Sequence, residues 1–173
     1  LLQGRNSHVL LGRIKSFVIL YVRGVLQHTT FSNFSMAVVT LDGIAYMDVE
    51  SAYQAAKTLD QAQRDRIWNA STPGEAKRLG RKVTMRSDWE DIKVGVMRDL
   101  LRQKFSPYQS AGSAARLVEL LATGDEEMVE GNDWHDNWWG DCKCGRPECS
   151  APGLNWLGRL LMEIREEFRG RQV

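Results

Sequence analysis

A helix-rich α+β single domain with a small β-hairpin or sheet is the fold class this sequence predicts, and three observations carry it. Amphipathic segments with a 3.6-residue period recur from Val49 to Phe168. Strand-like runs are short, and Asp42-Gly43 marks one clear tight turn between two of them. No strand alternates regularly with a crossover helix, which argues against a parallel α/β sheet. With 173 residues, 43% of them hydrophobic, the chain can bury one real core but not two.

The elements follow in order. Residues 1–27 read as a basic N-terminal extension: residues 1–30 carry four Lys or Arg and no acid, and acids begin at Asp42. Such a segment is either an accessory strand with a flexible arm or a basic arm touching phosphate. The domain proper is expected over 28–170. "FSNFSMAVVT" and "IAYMDV" flank the Asp42-Gly43 turn as a hairpin. A helix is expected from Val49 to Arg64. In "STPGEAKRLG", Thr72 can cap, Pro73 suits the first helical position, Glu75 completes a capping box and Gly80 ends the helix. Asp88 can cap the next helix, whose apolar face holds Trp89, Ile92, Val96, Leu100 and Leu101. "SAARLVELLATG" should bury Leu117, Val118, Leu120 and Leu121, with Gly124 at its end, and "EEMVEGN" should be extended. Asn155 can cap a last helix with Leu157, Leu160, Leu161, Ile164 and Phe168 inward.

Bulk properties narrow the function classes. A net charge of +1 gives no global case for binding nucleic acid or a membrane surface. The longest apolar run, "FVILYV", is far below the roughly 20 residues of a membrane span. Nothing resembles a signal-peptide cleavage site, and three clustered cysteines point to a reducing compartment, so a cytoplasmic protein is expected.

Three constellations could carry chemistry. Glu50, Tyr53, Gln54 and Lys57, at i, i+3, i+4 and i+7, share one helix stripe, with Ala52, Ala55, Ala56 and Leu59 opposite. On spacing alone this is a solvated face, but Tyr and Gln in the stripe and alanine behind it argue for a pocket wall. Next, "TGDEEMVEGNDWHDNWWGDC" gathers Asp125, Glu130, Asp133, His135 and Asp136 among loop glycines and tryptophans. Last, Cys142, Cys144 and Cys149 with His135 read either as free thiols in a loop, which the spacing favours, or as a closed tetrahedral zinc site.

Taken in register, the motifs resemble one family. In order they are "FSNF" at 31–34, "ExxYQAAK" at 50–57, "AKxLGR" at 76–81, "DW" at 88–89, Met97 and "KF" at 104–105. "LxTGD" at 121–125, "VE" at 129–130, "DxxWG" at 136–140 and "GxNxLGxxLMxIR" at 153–165 complete the series. The set is similar to the YbiA-like, or NADAR, family of N-glycoside hydrolases over about residues 28–168. The resemblance implies a helix-rich α+β fold and cleavage between ribose C1 and an exocyclic amine. Two substrate groups follow from it: ribosyl-phosphate aminopyrimidine intermediates of riboflavin synthesis, and ADP-ribosyl guanine in nucleic acids. The expected partner is thus a small ribosyl-phosphate or ADP-ribosyl molecule, or ADP-ribosylated nucleic acid, with no membrane and no cofactor or metal required.

Such a glycoside can ring-open to an imine-like species, which a neutral lysine could convert to a Schiff base. On that scheme Lys57 is the nucleophile, Glu50 the acid/base, and Tyr53 or Gln54 orient the substrate. The lysine amine would have to be held neutral by burial, against the pull of an ionised Glu50. The resemblance further implies ribose or phosphate contacts from Asn33, Arg81 and Asp136, and base stacking on Trp89 and Trp139. Asn155 joins them, unless it is only a helix cap, and Trp89 unless it is only core. Where the family commonly has histidine after the motif glutamate, this chain has Ser51. The rivals are a non-catalytic ADP-ribose-binding module and a zinc-stabilised interaction domain.

Overall fold

The computed structural model describes residues 19–22, 25–27 and 30–171. Within the N-terminal stretch it shows β1 (Ile19–Val22) and β2 (Val25–Gln27); the remaining arm lies outside the described residues. The hairpin appears as expected: β3 (Met36–Leu41) pairs antiparallel with β4 (Ile44–Asp48) around Asp42 and Gly43, both at positive φ. Six helices follow: α1 (Val49–Ala56), α2 (Gln61–Trp68), α3 (Pro73–Gly80), α4 (Trp89–Phe105), α5 (Ala111–Ala122) and, near the C-terminus, α6 (Trp156–Gly170). Between α5 and α6 run β5 (Met128–Asn132), β6 (Asp141–Cys142) and a single 3₁₀ turn, Pro147–Cys149. A second sheet has the order β2-β1-β5-β6; β1 lies antiparallel to β2 and β5, and β6 runs parallel to β5. The fold is α+β and helix-rich, as predicted.

The helix expected over 49–64 is in fact two. At its C-terminal end the Lys57 carbonyl accepts from the Arg86 N–H, not from a residue one turn ahead. The Thr58 carbonyl accepts from Arg64 Nε at 2.8 Å, and Asp60 restarts the helix by accepting from the Gln63 N–H at 3.0 Å. Leu59 therefore leaves the helix and stands exposed rather than buried behind the stripe. The shorter α1 is buried along its whole length, held among α2, α3, α4 and β3. Its start is secured by Asp48, whose carboxylate accepts from the Ser51 N–H (2.7 Å) and hydroxyl (3.0 Å). Ser51 thus serves the cap.

Other details depart from the sequence reading. Thr72 caps α3 as expected, but Glu75 returns its bond to the Ser71 N–H. Gly80 is the last residue of α3 in helical conformation; what it provides is room, since a Cβ there would lie 2.0 Å from Gln54 Oε1. Asp88 makes no side-chain cap to α4 because Arg86 takes both its oxygens, at 2.6 and 2.9 Å. Helix α5 starts at Ala111, capped by Ser110, and Val118 faces solvent instead of the core. The core cluster runs from Phe31 through Val39, Tyr46, Met97, Leu101 and Phe105 to the α6 stripe Leu157, Leu160, Leu161, Ile164 and Phe168.

Candidate active site

One cavity of about 290 Å³ opens between α1, the start of α4 and the loop after β5. Helix α1 contributes Glu50, Tyr53 and Gln54, and Lys57 stands at its cap. The loop before β3 contributes Asn33, α3 contributes Lys77, and α4 contributes Trp89, Glu90, Lys93 and Met97. Strand β5 and its following loop add Glu130, Asp136, Trp138 and Trp139. The i, i+3, i+4, i+7 stripe is therefore a pocket wall, held rigid because the rest of α1 is packed in core.

The local geometry pins each group. Gln54 Nε2 donates to Glu50 Oε1 at 2.8 Å, and the Glu50 backbone N–H donates to the Asn33 carbonyl at 3.1 Å. Tyr53 sits between two indoles, 5.0 Å from the Trp89 ring and edge-on to Trp139 at 5.5 Å. Lys57 Nζ lies 5.5 Å from the Tyr53 ring centroid. Asp136 organises its own loop: one carboxylate oxygen accepts from the backbone N–H groups of Trp138 (3.1 Å) and Trp139 (2.8 Å).

Charge states are pulled away from the ordinary ones. Burial pushes the Glu50 carboxyl up, and Lys77, Gln54 and Lys57 only partly offset it. Burial likewise lowers the Lys57 amine; Glu50 pulls it back, while Lys77 and Arg81 add to the depression. Glu130, 4% exposed, is pushed up to about 8 by burial, with Asp136 and Glu50 adding to the rise. Burial, then Glu50, also raises the Tyr53 phenol, which stays a donor at any working pH. Among the described residues, the buried side-chain polar atoms without a partner are Asn33 Oδ1, Gln54 Oε1 and Glu130 Oε2. All three belong to residues lining this cavity.

Most of the residues singled out in the sequence meet here: Asn33, Glu50, Tyr53, Gln54, Lys57, Trp89, Asp136 and Trp139. Two do not line the cavity. Arg81 is exposed at the C-terminal cap of α3, near enough to Lys57 to act on its charge. Asn155 adopts φ +52 and spends its side chain on β5, accepting from Glu130 N–H (3.0 Å) and donating to the Met128 carbonyl (2.8 Å). It neither caps α6 through its side chain nor faces the cavity; it fixes the strand that carries Glu130. Lys77, Lys93 and Trp138 are cavity residues to which the sequence reading gives no role, and Glu130, named there among the loop acids, also lines the cavity. The Val-Glu pair at 129–130, just after a predicted strand start, was the available signal for Glu130.

Comparison with known proteins agrees with this arrangement. The NADAR domain family matches residues 21–169. The chain is 39% identical over 140 residues to the N-glycosidase YbiA of Shigella flexneri, covering 80% of each. It is 37% identical over 145 residues to a riboflavin biosynthesis protein of Vibrio vulnificus, covering 83% of this chain and 36% of that one. The solution structure of E. coli YbiA superposes with a TM-score of 0.66 at 38% identity, covering 83% of this chain and 79% of that one.

Proposed function

The chain belongs to the NADAR domain family, and from that premise we propose that it is an N-glycosidase cleaving ribose C1 from an exocyclic amine through a Schiff base on Lys57. The observation that carries this reading is the pairing of Lys57 with Glu50: burial moves the amine down and the carboxyl up, so both shift toward their neutral forms. A neutral amine is the nucleophile the chemistry needs, and a protonated carboxyl is the matching acid.

A proton from a cavity carboxyl reaches the ring oxygen as the C1–O bond opens, leaving an iminium to the substrate amine. Neutral Lys57 adds to C1 and its proton passes through Glu50 to the departing nitrogen, which leaves as the free amine. Water then adds to the Lys57 Schiff base; collapse releases the lysine and the free sugar. Glu130, holding its proton at neutral pH on an oxygen with no protein partner, suits the first donation. Asn33 stands on the cavity wall for the ribose hydroxyls, Gln54 holds the Glu50 carboxyl in place, and Lys77 offers the charge for a phosphate.

The substrate we favour is a ribosyl-phosphate aminopyrimidine, in keeping with the relative named for riboflavin biosynthesis. A cavity of about 290 Å³ is at the small end for ligand sites and suits one such nucleotide. ADP-ribosyl guanine on nucleic acid would need phosphate-backbone contacts, for which a chain of net charge +1 makes little provision. Side-by-side assay of both substrates tests the choice. The aminopyrimidine nucleotide should turn over and ADP-ribosylated DNA should not; the reverse result refutes it. Borohydride added during turnover should fix one sugar on Lys57, and Lys57→Ala should lose both trapping and turnover. A fully active Lys57→Ala protein would end the Schiff-base scheme.

A further inference from the structure

The segment between β5 and α6 has almost no regular structure, yet it supplies Asp136, Trp138 and Trp139 to the cavity. Within the same segment, four side chains that the proposed chemistry does not use converge on one point. His135 Nδ1 lies 3.3 Å from Cys149 Sγ and 3.4 Å from Cys144 Sγ. The ligand atoms of His135, Cys142, Cys144 and Cys149 all lie within 4.8 Å of one another. Zinc holds sulfur at about 2.3 Å and imidazole nitrogen at about 2.0 Å, so tetrahedral ligands stand roughly 3.4–3.8 Å apart. All three cysteines are free thiols. The spacing in the sequence favoured free thiols in a loop; their convergence on one histidine in space favours the other alternative.

We propose that His135, Cys142, Cys144 and Cys149 form a closed Cys₃His zinc site that anchors the tryptophan-bearing wall of the cavity. Binding releases three thiol protons, and the neutral imidazole coordinates through Nδ1. With four protein ligands no position stays open, so the metal is structural and takes no part in glycoside cleavage. Three of the four ligands are tied to the active-site frame. His135, at φ +70, immediately precedes Asp136. Such a backbone is uncommon outside glycine, and coordination would hold it there. Cys142 lies on β6 opposite Asn132, its N–H donating to Asn137 Oδ1 at 2.8 Å, while the next residue, Lys143, donates from its N–H to the Asn132 carbonyl. Cys149, on the 3₁₀ turn, closes the excursion from 143 to 149 back onto that frame. The metal thereby does for this irregular segment what a core would do for a longer one.

The test uses the full chain purified without a histidine tag and dialysed against metal-free buffer. Elemental analysis should find one zinc per chain. Cobalt exchanged into the site should show thiolate charge-transfer absorption and the intense visible bands of tetrahedral coordination. Cys149→Ser and His135→Ala alter exposed or half-exposed ligands; each should lose stoichiometric zinc and the tetrahedral cobalt spectrum. A strong chelator should lower the melting temperature of the parent chain and leave that of Cys149→Ser unchanged. Zinc-free protein with three freely titrating thiols overturns the proposal, as does a Cys144–Cys149 disulfide or zinc content that survives both substitutions.

Discussion

At the scale of single residues, the cavity divides its carboxylates by environment. Glu130 is the one whose proton should be visible kinetically, because its pKa of about 8 falls inside the working range. In the proposed scheme its protonated form is the donor, so turnover should hold below pH 8 and fall as pH rises through it. Glu130→Gln should lower kcat by about 10²–10⁴ and remove that alkaline limb; a variant with the parent's pH profile would free Glu130 of any role. Glu50→Gln should cost a similar factor, since in the proposed scheme Glu50 carries the proton between Lys57 and the leaving amine. Residue roles were only partly legible in the sequence. The stripe Glu50–Lys57 could be read from helical spacing because its members are close along the chain. Glu130 reaches the same cavity from a strand 80 residues later; the Val-Glu pair marks its place in the chain, but no local pattern announces that its carboxyl is buried, because the groups around it come from other elements.

At the scale of elements, α1 works because it stops at Lys57. The break expected nowhere in the sequence was missed because helical periodicity runs straight through Thr58–Asp60, whereas what ends the helix is tertiary: Arg86 N–H on the Lys57 carbonyl and Arg64 on Thr58. The hold of Asn155 on β5 is hidden in the sequence for the same reason, since its partners there lie 25 and 27 residues away. Capping signals at Thr72 and the Asp42-Gly43 turn were read correctly because their partners are three residues away or fewer. The seat of Gln54 on Gly80 gives an element-level prediction. A Cβ at position 80 would stand 2.0 Å from Gln54 Oε1 and 2.8 Å from Gln54 Cβ. Overpacking of about 1–3 kcal/mol should outweigh the roughly 1 kcal/mol that alanine gains in a helix. Gly80→Ala should therefore lower the melting temperature and, by turning Gln54 off Glu50, lower kcat as well. Unchanged stability and rate would show that α1 and α3 have slack between them.

At the scale of the whole molecule, two buried titratable groups, Glu130 and Lys104, bend the pH dependence of folding in opposite directions. Glu130 titrates at about 8 in the fold against 4.5 as a free side chain. The folded state holds this proton more tightly, so the stability it retains is complete below pH 4.5 and is lost as pH rises to about 8. Lys104 is fully buried, donating to the Ser32 carbonyl (2.6 Å) and Ser35 Oγ (2.8 Å), and burial lowers it from 10.5 to about 7. Arg116 adds to that depression and Asp48 opposes it. Here the unfolded chain holds the proton more tightly, so stability from this group is complete above pH 10.5 and is lost as pH falls to about 7. Their sum is a stability curve with its minimum near pH 7–8, rising toward acid through Glu130 and toward base through Lys104. Thermal melts from pH 5 to 10 test this directly. Glu130→Gln should raise the melting temperature at pH 8 and flatten the acid side, at about 2–4 °C per kcal/mol recovered for a chain of this size. Lys104→Met should flatten the basic side alone. A parent curve that peaks at pH 7–8 would mean that water or rearrangement relieves both burials, and with them the argument that the cavity wall is built to keep Glu130 protonated.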